Sequence, residues 1–133
     1  MKNAVRYYSK SGHTGTIADA IAKGAGVTAL SVTEEPQLKE EVDVLFLGGA
    51  PYANILAPEL KAYANALTAD KVKKVVVFGT SNWSLRTIKA LRKICEGKGI
   101  PVEKEHFHAS SKDFRTQLEN AESFGKKYAA QEA

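Results

Sequence analysis

The sequence is poor in the residues that would tie it to several common chemistries. It contains one cysteine, Cys95, which excludes an internal disulfide and a cysteine-built metal cage and points to a reducing, cytoplasmic setting. No apolar run approaches the roughly 20 residues that cross a bilayer, so membrane insertion is not expected. Met1-Lys2-Asn3 leads directly into an apolar segment, without the charged and apolar regions of a signal peptide. The Gly-x-x-x-x-Gly-Lys-Ser/Thr loop of P-loop nucleotidases is missing. So is a nicotinamide-dinucleotide fingerprint, and there is no second domain to hold such a ligand. Cys95 lies in a helical pattern with no arginine behind it at phosphatase spacing, and reads as a buried or half-buried helix residue. The net charge of +4 is mild, and arginine-aromatic interleaving of the kind that marks a nucleic-acid surface is absent.

What is present is an ordinary globular composition. A hydrophobic fraction of 44% and a charged fraction of 26% over 133 residues fit a single domain, residues 1–133, long enough for a hydrophobic core. The first strand is expected over Asn3 to Tyr8, followed by a helix from Thr14 to Lys23 with Gly24 and Gly26 as stop signals. Val27 to Val32 alternates and is rich in β-branched residues, which predicts a second strand. Glu34 to Glu41 is charged, contains Pro36, and reads as a loop or a short helix. Val42 to Leu47 and Val75 to Phe78 are nearly continuous apolar runs, the pattern of strands buried on both faces of a parallel sheet. A helix with Pro58 in its first turn and Leu60, Tyr63, Ala64 and Leu67 on one face follows the first of these runs. Another, with Leu85, Ile88, Leu91 and Ile94 as its apolar stripe and a stop near Gly97 or Gly99, follows the second. Pro101 to Phe107 predicts a fifth strand, expected at an edge, and Ser110 with Asp113 has the form of a capping box before a helix carrying Phe114, Leu118, Ala121 and Tyr128.

Strand and helix patterns thus alternate five times with no linker or repeat, the signature of an α/β, doubly wound, five-stranded parallel sheet. In such folds ligands sit beyond the carboxyl ends of the strands. Three glycine-containing stretches fall there: Ser9-Lys10-Ser11-Gly12-His13-Thr14, Gly48-Gly49-Ala50-Pro51-Tyr52-Ala53-Asn54, and Gly79-Thr80-Ser81-Asn82-Trp83-Ser84. The first is a hydroxyl-rich turn between a strand and a helix. Helix N-terminal N–H groups lack intrahelical partners and the dipole adds positive charge, so this stretch reads either as a phosphate site or as a helix cap made by Ser11 or Thr14. A phosphorylatable receiver domain would need an acidic cluster and a phosphoacceptor aspartate where Tyr8-Ser9 and Gly48-Gly49 stand. His106 and His108, two apart on the fifth strand, would point to one face; they read as surface histidines in preference to a metal pair.

Together these three stretches resemble the flavodoxin family. Its phosphate loop has the form Thr/Ser-x-Thr/Ser-Gly-x-Thr, which Ser9 to Thr14 matches, and the likeness continues through the other two loops over essentially the whole chain. The resemblance implies a flavodoxin-like sheet of strand order 2-1-3-4-5 and bound FMN. It implies that Ser9, Lys10, Ser11, Gly12, His13 and Thr14 surround the phosphate, with Lys10 and His13 at variable positions, their charges either aiding the phosphate or, the favoured reading, turned to solvent. Gly49, Ala50, Pro51, Tyr52, Ala53 and Asn54, with Thr80, Ser81, Asn82 and Trp83, would flank the isoalloxazine ring. Trp83, the sole tryptophan, would stack on that ring, the alternative being a core anchor; Tyr52 is the candidate for the opposite face or a surface aromatic. A peptide turn at Gly48 and Gly49 would answer protonation of flavin N5, unless these glycines only make the turn. The implied role is a monomeric electron carrier between redox partner proteins, with no catalytic side chain. A flavodoxin-like quinone or NAD(P)H-dependent FMN reductase, and a flavin-free interaction module, are the alternatives. One departure stands out: flavodoxins are typically acidic, whereas this chain has pI ≈ 9.1, with Arg86, Lys89, Arg92 and Lys93 on the helix after the third loop. A partner with an acidic docking surface is one reading and a solvated helix face the other.

Overall fold

The computed structural model describes residues 2–10, 12–51, 55–81 and 84–130. Five strands, β1 (Asn3–Tyr8), β2 (Ala29–Ser31), β3 (Val42–Gly49), β4 (Val72–Ser81) and β5 (Phe107–Ser110), form one parallel sheet of order β2-β1-β3-β4-β5. Four helices, α1 (His13–Ala25), α2 (Pro58–Asn65), α3 (Arg86–Gly97) and α4 (Leu118–Tyr128), cover it. The expected strand order is therefore the observed one.

The near-continuous apolar runs of β3 and β4 are buried because both faces of the sheet are covered. One core layer packs Leu45, Leu47, Val75 and Val77 against Leu60, Tyr63 and Ala64 of α2 and Ile88, Leu91 and Cys95 of α3. The other packs Val5, Val44, Phe46, Val76 and Phe78 against Ile17, Ala18 and Ile21 of α1 and Ala121 of α4. At about 25 cal/mol per Å² of apolar surface removed from water, these two layers are the main force holding the fold. α1 and α4 meet almost backbone to backbone: a Cβ on Gly24 would lie 1.9 Å from the Glu122 carbonyl oxygen, and one on Gly125 would lie 2.0 Å from that of Ile21. Gly24 is therefore a packing residue, and the helix stops at Gly26, which takes φ 77° while Val27 N–H closes on Ala22 O at 2.9 Å.

Several sequence expectations need correction. The second strand is only Ala29–Ser31; of the two readings of Glu34 to Glu41, the loop is the observed one, pinned by buried Val32 and Leu38 and by the Arg6–Glu35 ion pair at 3.1 Å. Gly48 and Gly49 lie inside β3, opposite Tyr7 and Tyr8 on β1 and Phe78 and Gly79 on β4. A Cβ on Gly48 would come within 2.4 Å of the Phe78 ring, so close strand packing selects glycine there. β4 likewise runs on through Gly79, Thr80 and Ser81, because those residues pair with β5. β5 begins at Phe107, since Val102 makes only an isolated bridge to Val75 before the chain leaves the sheet over residues 103–106. His106 is consequently outside the strand that holds His108. Ser110 forms no capping box; its Oγ accepts the Lys112 N–H at 3.2 Å, and a 3₁₀ turn (Phe114–Gln117) precedes α4.

Candidate functional site

The carboxyl ends of β1, β3 and β4 are neighbours in the sheet, so the three expected loops open at one end of the molecule. β1 is also where the chain changes direction: β2 lies to one side and β3 to the other, with α1 and α2 on opposite faces. This is the topological switch point of a doubly wound sheet.

The turn after β1 is held by its own atoms. Ser9 Oγ accepts the Gly12 N–H at 2.9 Å, and Gly12 takes φ 88°, a left-handed conformation that suits glycine. The Thr16 N–H and hydroxyl both donate to Gly12 O at 3.0 Å. The N-cap position of α1 is Gly12, which has no side chain to cap with, and the first turn holds no acidic residue. Thr14 lies inside α1 with its hydroxyl on Thr80, so it does not cap the helix, and the N-terminus of α1 carries its partial positive charge at the switch point. Ser11 lies outside the described residues.

The side chains around the turn are arranged less openly than the motif suggests. Thr14 is completely buried, and its Oγ1 meets Thr80 Oγ1 at 2.5 Å, with Thr80 equally covered. The pair is a strut from α1 to β4. His13 stacks on Phe114, with ring centroids 4.5 Å apart at 30°, so it is partly covered and does not simply project into solvent. Lys10 is exposed and its charge reaches Glu59. Glu59, in the first turn of α2, accepts the Tyr8 hydroxyl at 2.9 Å; its own backbone N–H and that phenol hold its carboxyl below the usual range.

In the second loop Gly49 is buried in the strand, while Ala50 and Pro51 are partly exposed. Tyr52, Ala53 and Asn54 lie outside the described residues. Ile55, just beyond, is the large apolar side chain left exposed among the described residues, at 56%. It escaped sequence reading because it belongs to no amphipathic pattern. A peptide turn at Gly48–Gly49 would break the ladder to β1 or β4, so the structure gives no support to that role there. In the third loop Thr80 and Ser81 are buried strand residues, and Asn82 and Trp83 lie outside the described residues. Ser81 Oγ donates to Ser84 O at 2.5 Å and meets His108 Nε2 at 2.8 Å. His108 was not expected here; only the register of β5 brings it to this loop.

Other chemistry is turned away from this end. Burial pushes the Tyr63 phenol up to about 12 and the Cys95 thiol up to about 11, and both face the core beneath α2 and α3. Among the described residues no group of three His, Cys, Asp or Glu could hold a metal, and no helix is long and apolar enough to cross a membrane. A large open cleft of about 600 Å³ lies at the opposite end of the sheet, lined by Asn3, Gly26, Leu38 and Val42. Its Lys2 and Arg6 are each paired with a carboxylate of the same cleft, Glu40 and Glu35.

No protein-family model and no curated protein matches the chain. Among solved structures it is similar to a flavodoxin from the domain Archaea, with TM-score 0.77 and 20% identity over 97% of this chain and 96% of that one. It is similar to flavodoxin 2 from Bacillus cereus, with TM-score 0.71 and 21% identity over 96% of this chain and 100% of that one. A flavodiiron core from Synechocystis also matches, with TM-score 0.73 and 19% identity over 96% of this chain but 35% of that one. Likeness at this identity is likeness of fold: the chain has the flavodoxin-like architecture.

Proposed function

We propose that this chain binds FMN beyond the carboxyl ends of β1, β3 and β4 and carries electrons between redox partner proteins. The observation that carries the reading is the acid-free N-terminus of α1 at the switch point, entered through left-handed Gly12. Among the described residues, N–H groups of the first turn and the Ser9 hydroxyl suit a phosphate there, and the motif adds Ser11, a donor set that can hold a dianion without a cation in contact. Bound FMN supplies reversible electron transfer. The protein's part is to hold the phosphate at the turn and the ring between the Ala50–Asn54 and Thr80–Trp83 loops, with Trp83 stacked on one face and Tyr52 near the other. No side chain at this end is asked to act as acid, base or nucleophile.

The charge distribution supports an acidic partner. Arg86, Lys89, Arg92, Lys93 and Lys98 against Glu96 place four net positive charges on α3 and its C-terminal cap, equal to the +4 of the whole chain. Arg86, Lys89 and Lys93 are exposed on one side of the helix, and among the described residues none of the α3 cations is in an ion pair. Because α3 starts directly after the ring loop, this face adjoins the proposed ring site.

The test is FMN titration of the purified chain, followed by stepwise reduction under potentiometric control. Uptake at micromolar protein, with two separated one-electron steps, is the expected result. No uptake overturns the reading, and direct two-electron reduction by NAD(P)H replaces it with a reductase. Trp83→Ala should weaken binding and shift the flavin spectrum; unchanged affinity and spectrum would remove the stacking assignment.

A further inference from the structure

We propose that His108 is a positioning residue for the ring end of the site, holding the two ends of the β4–α3 loop together through Ser81. The proposal follows from counting protons. Ser81 has one hydroxyl hydrogen, and it is donated to Ser84 O at 2.5 Å. Its oxygen therefore accepts at the 2.8 Å contact with His108, so His108 Nε2 carries a hydrogen. When neutral, His108 is the Nε2–H tautomer and Nδ1 is the acceptor.

The register explains why this histidine reaches. Gly79 pairs with His108 and Ser81 with Ser110, so His108 lies diagonally across from Ser81 on neighbouring strands. The Ser81 carbonyl accepts the Ser111 N–H at 3.1 Å, fixing the strand end from the backbone side. On the far side of the loop, Ser84 Oγ accepts the Arg86 N–H at 3.2 Å. A chain of hydrogen bonds thus runs from β5 through Ser81 and Ser84 into the first turn of α3. Burial and nearby His106 hold His108 below the usual histidine range, which favours the neutral ring at neutral pH. The consequence for flavin rests on the function proposed above; the clamp itself does not.

The experiment uses the full chain without added flavin. Long-range ¹H–¹⁵N correlation reads the His108 tautomer, and the sole tryptophan, Trp83, reports the loop by acrylamide quenching and anisotropy. The expected results are an Nε2–H signature, with quenching raised in His108→Ala and Ser81→Ala and restored by His108→Gln, whose amide can donate to Ser81. Urea midpoints confirm that each variant folds, and the wild-type tautomer needs no variant. An Nδ1–H tautomer, or wild-type quenching in His108→Ala, overturns the clamp. With FMN added, His108→Ala, which loses one hydrogen bond at the loop, should weaken affinity about three- to tenfold, and Ser81→Ala, which loses two, at least as much. If wild type binds no FMN, the functional reading fails, while tautomer and quenching still decide the clamp.

Discussion

Replacing Thr14 and Thr80 by valine, singly and together, tests whether their contact is a strut or an open phosphate donor. Their hydroxyls meet at 2.5 Å with relative exposures of 0% and 1%. Valine keeps the shape and the β-branch and removes the hydroxyl. Either single substitution leaves one hydroxyl buried without its partner, at a cost of about 1–3 kcal/mol. With a urea slope of about 1–3 kcal/mol per molar, the unfolding midpoint should fall by on the order of 1 M. The double substitution removes both polar groups, so it should lose less than the two singles combined, with an interaction term of about 1–2 kcal/mol. Equilibrium urea unfolding of the four chains measures the cycle, and FMN titration of the same chains measures the site. A strut predicts comparable affinity losses in both single variants, because each loosens the loop. An additive cycle would refute the pairing, and an affinity loss confined to Thr14→Val would show that its hydroxyl reaches the phosphate.

Three further outcomes are expected. Glu35→Ala should cost about 3 kcal/mol, because it strands Arg6, a charge with only 10% side-chain exposure. The exposed Lys2–Glu40 pair should lose less than about 1 kcal/mol in Glu40→Ala, and equal urea midpoints for the two variants would contradict the burial argument. The folded-state pKa of His108 lies below its unfolded value, so the unfolded chain binds the extra proton first as pH falls. Stability is therefore full above the unfolded value near 6.5 and declines as pH falls toward the folded value. His108→Gln should flatten that decline, and an unchanged slope in pH-dependent urea unfolding would sink the assignment. Finally, oxidation of the reduced FMN-loaded chain by an anionic mediator should slow with added salt, and by a cationic mediator should quicken. Lys89→Glu with Lys93→Glu should shrink both trends; rates indifferent to these changes would mean that α3 sets no field at the flavin.

The parts of this fold that sequence pattern reveals are those whose burial follows from the element itself. The apolar runs of β3 and β4 are visible because burial on both faces makes nearly every position apolar, and the stripe of α3 because burial on one face selects every third to fourth residue. Glycine is ambiguous, because its two uses look alike in sequence. Gly12 and Gly26 are chosen for left-handed backbone, whereas Gly48, Gly24 and Gly125 are chosen for what would collide with a Cβ. The second use depends on a partner distant in the chain, so in sequence Gly48 looks like loop and Gly24 like a helix stop. The same long-range dependence hid the Thr14–Thr80 contact, 66 residues apart, and the His108–Ser81 contact, 27 apart. At the site, motif spacing located the turn after β1, but only the register of β4 and β5 shows which of its hydroxyls face one another.

On the proposed function, the charge of the cofactor and the charge of the chain are handled by different parts of the fold. The N-terminus of α1 offers roughly half a positive charge from aligned peptide dipoles, fixed in place and free of the desolvation that a buried guanidinium brings. Arg6 illustrates that burden, since it is buried only with Glu35 beside it. The phosphate turn therefore needs no buried cation, its Lys10 being exposed, and the excess of cations stands on α3. With the rest of the chain balanced, α3 makes the molecule a dipole as well as a cation. Screening limits its reach to about 8 Å at physiological ionic strength, so it acts in the last approach of a partner. A charge of +4 spread evenly would attract an acidic surface without turning it. The same charge on one helix turns that surface toward α3, and therefore toward the loop between Ser81 and Ser84 that His108 holds.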